Sequence, residues 1–125
     1  IILGIFFSGP PYQILEAWYN KKLKIVLSPE IYKEYVQVAD RLSFKYKDID
    51  ISRILELIAL ESELYHPIEL PKDICRDPHD VKFISCALSS NTKVIVTNDK
   101  YLLELNGISG IEILAPHNFV KKYLE

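Results

Sequence analysis

Several things this chain has little of narrow what it can be. Its 125 residues hold two cysteines, Cys75 and Cys86, too few for a disulfide framework and not spaced as metal-binding thiolates. They read as small apolar side chains packed in a reducing compartment. No apolar run is long enough to cross a bilayer. The formal net charge of −2 gives no overall attraction to nucleic acid, so contact with a polyanion needs a local patch or a bound cation. The Ser8-Gly9-Pro10-Pro11 turn lacks the glycines and lysine of a phosphate-binding loop. No serine or cysteine stands in an elbow motif or beside a histidine, which leaves nucleophilic hydrolase chemistry without support. Methionine is absent, and the chain opens inside the apolar run Ile1-Ile2-Leu3-Gly4-Ile5-Phe6-Phe7 with no basic flank or cleavage site. The native sequence is therefore expected to have residues upstream of Ile1.

What is present has the balance of a globular domain, 49% hydrophobic and 26% charged, and the length suits one domain over residues 1–125. Pro10 and Pro11 open a helix over Tyr12 to Tyr19. Leu23 to Leu27 is a short apolar strand, and Ser28-Pro29 supplies an N-cap and a first-turn proline for the next helix. Ile31, Tyr35, Val38 and Leu42 form its apolar stripe. Lys45 to Asp50 is a polar connection. A second amphipathic helix covers Ile51 to Glu63, with Ile51, Ile54, Leu55 and Ile58 on one face. Leu57, Ala59 and Leu60 widen that face, which predicts a partner on it. Leu64 to Leu70 is expected to hold an edge strand, because Pro67 and Pro71 forbid a central one. Then come a helix over Asp77 to Ser89, a strand over Lys93 to Thr97 and a short helix over Lys100 to Leu105. Turns at Asn106-Gly107 and Gly110 precede a last strand, Ile111 to Leu114, and a last helix from Pro116 through Tyr123. Strands alternating with helices imply right-handed crossovers and a mainly parallel sheet in a three-layer α/β/α fold.

The chemistry lies in acids. Asp77-Pro78-His79-Asp80 opens one helix, and Val94-Ile95-Val96-Thr97-Asn98-Asp99 ends a buried strand in a carboxylate. In an open parallel sheet that edge is the ligand crevice. Carboxylates converging there repel one another unless protons or a hard divalent cation neutralise them. Each acid also has a plain structural role open to it: Asp77 and Asp99 are both placed to cap helices. Glu34 differs, since it lies past the first turn and at the margin of the apolar stripe, where a carboxylate needs a partner. The architecture puts that partner on the rim of Asp80 and Asp99. His79 sits between two acids, yet hard cations prefer oxygen ligands.

Taken together, these blocks resemble the PIN-domain family, in the group described as toxin components of toxin–antitoxin systems. The resemblance runs through Ser8-Gly9-Pro10-Pro11-Tyr12-Gln13-Ile14-Leu15, Leu27-Ser28-Pro29-Glu30-Ile31 with Glu34-Tyr35, and Cys75-Arg76-Asp77-Pro78-His79-Asp80 with Lys82-Phe83. It continues in Val96-Thr97-Asn98-Asp99 with Leu102-Leu103, and in Ile111-Glu112-Ile113-Leu114 before Pro116 and Phe119. It implies a Rossmann-like sandwich and a metal-dependent endoribonuclease that hydrolyses RNA phosphodiester bonds with Mg²⁺ or Mn²⁺. Glu34, Asp80 and Asp99 match the catalytic metal ligands, Asp77 an auxiliary acid, and Thr97 the small hydroxyl residue that supports the site. The family's first strand ends in an Asp-Thr-Asn-type motif, which here would precede Ile1. The 125 residues would then be an N-terminally incomplete PIN domain without its first strand, and greatly reduced in activity.

Arg76, Lys82 and Lys100 adjoin the acids and are the nearest cations for an RNA strand, with Lys21, Lys22 and Lys24 as a second patch. The expected partners are RNA, a second copy in a homodimer and an antitoxin protein, in the cytoplasm and away from membranes. Competing expectations are an RNA-processing PIN nuclease without an antitoxin, and a catalytically silent PIN-like module for dimerisation or RNA binding. A phosphatase or receiver-like α/β domain would need an acid after the first strand and a nearby lysine.

Overall fold

A computed structural model of the chain describes residues 2–3, 12–45, 51–66, 68–71, 74 and 77–125. Ser8-Gly9-Pro10-Pro11, residues 46–50, Cys75 and Arg76 lie outside the described residues, as does the side chain of His79.

The strands are short and every pairing is parallel. β4 (Val94–Val96) is flanked by β1 (Ile2–Leu3) and β5 (Glu112–Leu114), with Ile95 opposite both Ile2 and Ile113. β2 (Val26–Leu27) pairs with β3 (Glu63–Leu64) as a second parallel unit. Backbone bonds carry these ladders past the strand ends: Thr97 N–H donates to the Leu114 carbonyl at 3.0 Å, and Tyr65 N–H to that of Leu27 at 2.9 Å. β4 forms because its β-branched residues are covered on both faces, Ile95 fully and Val96 almost so. Ile2–Leu3 departs from expectation. The resemblance puts that run after the first strand, yet it is itself a strand, paired along its backbone with β4.

Helices α1 (Tyr12–Tyr19), α2 (Pro29–Lys45), α3 (Ile51–Glu61), α4 (Val81–Ser90), α5 (Lys100–Leu103) and α6 (Pro116–Phe119) supply the rest of the core. Ser28 Oγ accepts from the Ile31 N–H at 3.3 Å, which is the expected cap of α2. Ile31, Tyr35 and Ala39 are buried along its stripe, against Phe83, Ile84, Cys86 and Ala87 of α4. Each large apolar side chain removed from water in this way contributes about 1.5–3 kcal/mol. α4 touches β2, β4 and α2 and so ties the three-stranded and the two-stranded sheets together. Two of its hydroxyls also grip the incoming chain: Ser85 Oγ donates to the Ile68 carbonyl, and Ser89 Oγ to that of His66 at 2.7 Å. Asn91 ends α4 in the left-handed region with φ 56°, and Thr92 N–H closes back on the Ala87 carbonyl at 2.9 Å.

Several boundaries move. α4 begins at Val81, not Asp77, because Pro78–Asp80 is a tighter 3₁₀ turn. The last helix widens into a π-helical stretch, Val120–Leu124. The edge strand falls at Glu63–Leu64, at the very start of the segment expected to hold it and away from Pro67 and Pro71. In α3, Ile58 is fully buried and Leu57 packs on the core, whereas Leu60 is 76% exposed. Of the three residues that widen the apolar face, Leu57 is thus taken up by the chain itself, whereas Ala59 and Leu60 are exposed. A groove of about 650 Å³ lies between α1, β2 and α3, lined by Trp18, Tyr19, Leu23 and Leu57 with Lys24 and Glu61 at its walls. Among the described residues no helix is long and apolar enough to cross a membrane.

Candidate metal centre

Asp80 is the one buried acid among the described residues. The 3₁₀ turn is closed by its N–H donating to the Asp77 carbonyl at 3.0 Å, which places Asp80 at the N-cap position of α4. Its side chain nevertheless makes no capping bond. The residue is only 6% exposed, and its Oδ2 is buried with no hydrogen-bond partner. A carboxylate kept from water without a donor is expensive. Burial therefore pushes the Asp80 carboxyl up from its ordinary 3.8 to about 7. The negative charges of Asp99 and Asp77 push the same way, and Lys82 pulls back in part.

Asp99 reaches this place from the other side, two residues beyond the buried Thr97 at the carboxyl end of β4. Thr97 Oγ1 accepts from the Asp99 N–H at 3.0 Å and so fixes the turn that aims it. Asp99 Oδ1 accepts from the Tyr101 N–H at 2.9 Å, capping α5. The capping role is thus real, and it engages one of the two oxygens. The Asp99 carboxyl also lies within hydrogen-bond reach of that of Asp80, so the pair can share a proton.

Glu34 comes from the second turn of α2, half-buried, and its partner is a cation. Lys82 Nζ stands 2.9 Å from Glu34 Oε1, its side chain only 13% exposed against 32% for the glutamate. Sequence reasoning missed this pair, although a signal was available. A lysine in the first turn of a helix opposes the macrodipole and needs a nearby anion to hold it there.

The structure therefore sets Asp99 and Asp77 each close enough to Asp80 to raise its carboxyl, and Lys82 near both Asp80 and Glu34. Among the described residues no three Asp, Glu, His or Cys side chains stand together as a ready-made metal cage. The chemistry of the donor set fits a hard divalent cation: all oxygen, one of them buried without a donor, and charge offset by a proton and by Lys82. Of the candidate RNA contacts, Lys82 is committed to Glu34, and Lys100 is exposed with its ammonium 5.2 Å from the Tyr101 ring centroid. Lys21, Lys22 and Lys24 precede β2, whereas Glu34 and Asp99 follow the carboxyl ends of β2 and β4, so the second patch lies at the other edge. Cys86 is buried and its thiol is pushed up to about 11 by that burial, which keeps it inert, as its apolar reading expected.

An α/β domain with acids gathered at the carboxyl end of a parallel strand is the class this geometry defines. The family model described as "PIN domain" matches residues 1–101, and the chain belongs to that family. PIN domains are in general nucleases that act on nucleic acid and use divalent metals. No curated protein and no solved structure matches the chain significantly.

Proposed function

We propose that this chain is a metal-dependent endoribonuclease of the toxin type, held in check by an antitoxin partner in the cytoplasm. The observation that carries the reading is Asp80, a nine-tenths buried acid that caps nothing, has an oxygen with no donor and faces the carboxyl of Asp99. A structural acid would be satisfied. This one is held in place by its surroundings and left unsatisfied, as a ligand must be.

In this reading Asp80 and Asp99 hold Mg²⁺ or Mn²⁺, with Glu34 as a further ligand and Asp77 as an auxiliary acid. The bound cation supplies Lewis acidity toward a phosphate oxygen and lowers the pKa of water. The chain's own residues do the positioning. Thr97 fixes the Asp99 turn, the 3₁₀ turn delivers Asp80, and Lys100 and Arg76 offer positive contacts to the RNA backbone without reading bases. The exposed Leu60 of α3 supports a homodimer through that helix, with Leu57 partly buried against the core.

The test is cleavage of a single-stranded RNA with Mg²⁺ or Mn²⁺, with and without chelator, in the wild type and in Asp80→Asn. Metal-dependent cleavage lost in the variant supports the reading, and chelator-resistant cleavage overturns it. One observation favours a second reading, the silent RNA-binding module. Glu34 is tied to Lys82 and Asp99 to the α5 backbone, so neither points at an open seat. RNA binding without cleavage at any metal concentration would select it.

A further inference from the structure

The Lys82–Glu34 pair is not explained by catalysis or by surface salt-bridge statistics. Lys82 is largely buried, its ammonium is 2.9 Å from Glu34, 5.4 Å from the Phe83 ring centroid, and close enough to Asp80 to offset part of its burial. It enters from the first turn of α4, where the positive end of the helix opposes it. Two unfavourable contributions, desolvation and the helix end, are accepted so that one cation can stand against Glu34 and near Asp80.

We propose that Lys82 is a positioning residue, a built-in counter-cation that occupies the acidic cluster and is exchanged for the divalent ion. The inference rests on the metal reading above and concerns how the site is kept folded and gated. One half-buried Glu34 carboxylate cannot serve an ammonium and a dication equally well, because the two cations repel at such range. Were Glu34 to hold a dication, the helix end and the added positive charge would both favour Lys82 turning outward. Its flexible four-carbon stem lets the ammonium reach solvent at the rim without moving α4. There it becomes available to a phosphate oxygen of the substrate. The empty-handed site is thus protected from carboxylate repulsion, and the loaded one gains a substrate contact from the same residue.

The test uses the whole chain, freed of metal with chelator and dialysed. Mn²⁺ binding is titrated calorimetrically in the wild type, Lys82→Gln and Lys82→Arg, with circular dichroism confirming the fold. Removing the competing charge should tighten Mn²⁺ binding about five-fold. Arginine, with its forked grip on Glu34, should weaken it by a similar factor. A readout that needs no variant accompanies this. Amine acetylation of Lys82 in the wild type, followed by mass spectrometry, should rise on adding Mn²⁺ while that of Lys24 stays constant. Unchanged or weaker Mn²⁺ binding in Lys82→Gln, or Lys82 labelling that ignores Mn²⁺, overturns the exchange. A wild type that binds no Mn²⁺ overturns the metal reading itself, and the exchange with it.

Discussion

Replacing Asp80 with Asn removes one ionisation and almost no volume, and its effect should depend on pH in a way the structure determines. In the metal-free fold the Asp80 carboxyl is raised from 3.8 to about 7 by burial and by Asp99 and Asp77. Between those two values the folded chain holds a proton that the unfolded chain has released. Stability therefore falls as pH rises through this window, and is flat on either side. Each tenfold displacement of the equilibrium is worth about 1.4 kcal/mol, so the fully ionised site carries a penalty of roughly 4 kcal/mol. Between about pH 5 and pH 8 some 2.5 kcal/mol of that develops. Urea denaturation in chelator at several pH values measures it. Asp80→Asn, which cannot ionise, should gain about 2.5 kcal/mol on the wild type over that interval, and the difference should shrink when Mn²⁺ is added. Titrating groups remote from Asp80 shift both proteins together and cancel. Parallel pH profiles for the two proteins would refute the argument that this carboxyl is buried without a donor.

Asp99→Asn should abolish metal-dependent RNA cleavage while leaving the melting temperature unchanged or higher, since asparagine still accepts from the Tyr101 N–H and no longer repels Asp80; full activity would leave only the capping role. Thr97→Val removes the acceptor that fixes the Asp99 N–H, and should cost about 1 kcal/mol in denaturation with a lower metal affinity than the wild type. Leu60→Lys should shift the mass seen by light scattering from dimer to monomer without loss of stability. Leu57→Lys should instead destabilise by roughly 2 kcal/mol or more, since that side chain packs on the core; equal behaviour of the two variants would contradict the division of the α3 face.

The α/β pattern and most element positions were legible because period and punctuation are local properties. Ser28-Pro29 starts α2 where the cap chemistry says it must, and Val94–Val96 is a strand because three β-branched residues meet polar ones at Thr97. The start of α4 was misjudged because Asp-Pro is equally good as the entry to an α-helix or to a 3₁₀ turn, and packing decides between them. For the site, Asp80 and Asp99 were readable as strand-end and helix-start acids. Glu34 was readable as an acid in need of a partner, but the partner's identity was not, because Lys82 lies 48 positions away in the chain. Nor could the sequence tell that Asp80 leaves its cap unused while Asp99 makes one. That difference arises from the backbone angle at each position.

The grip of Ser85 and Ser89 on the preceding segment matches two different periodicities. Four residues of α-helix advance about 6.0 Å, and two residues of extended chain about 6.6 Å. Hydroxyls one turn apart on α4 can therefore meet carbonyls two residues apart, at Ile68 and His66, in register and running oppositely. The helix flank does the work of a neighbouring strand, taking up acceptors of a segment whose prolines lack the N–H donors a sheet also needs. Carbonyls that would otherwise need water or another strand are satisfied by side chains, at the cost of two serines.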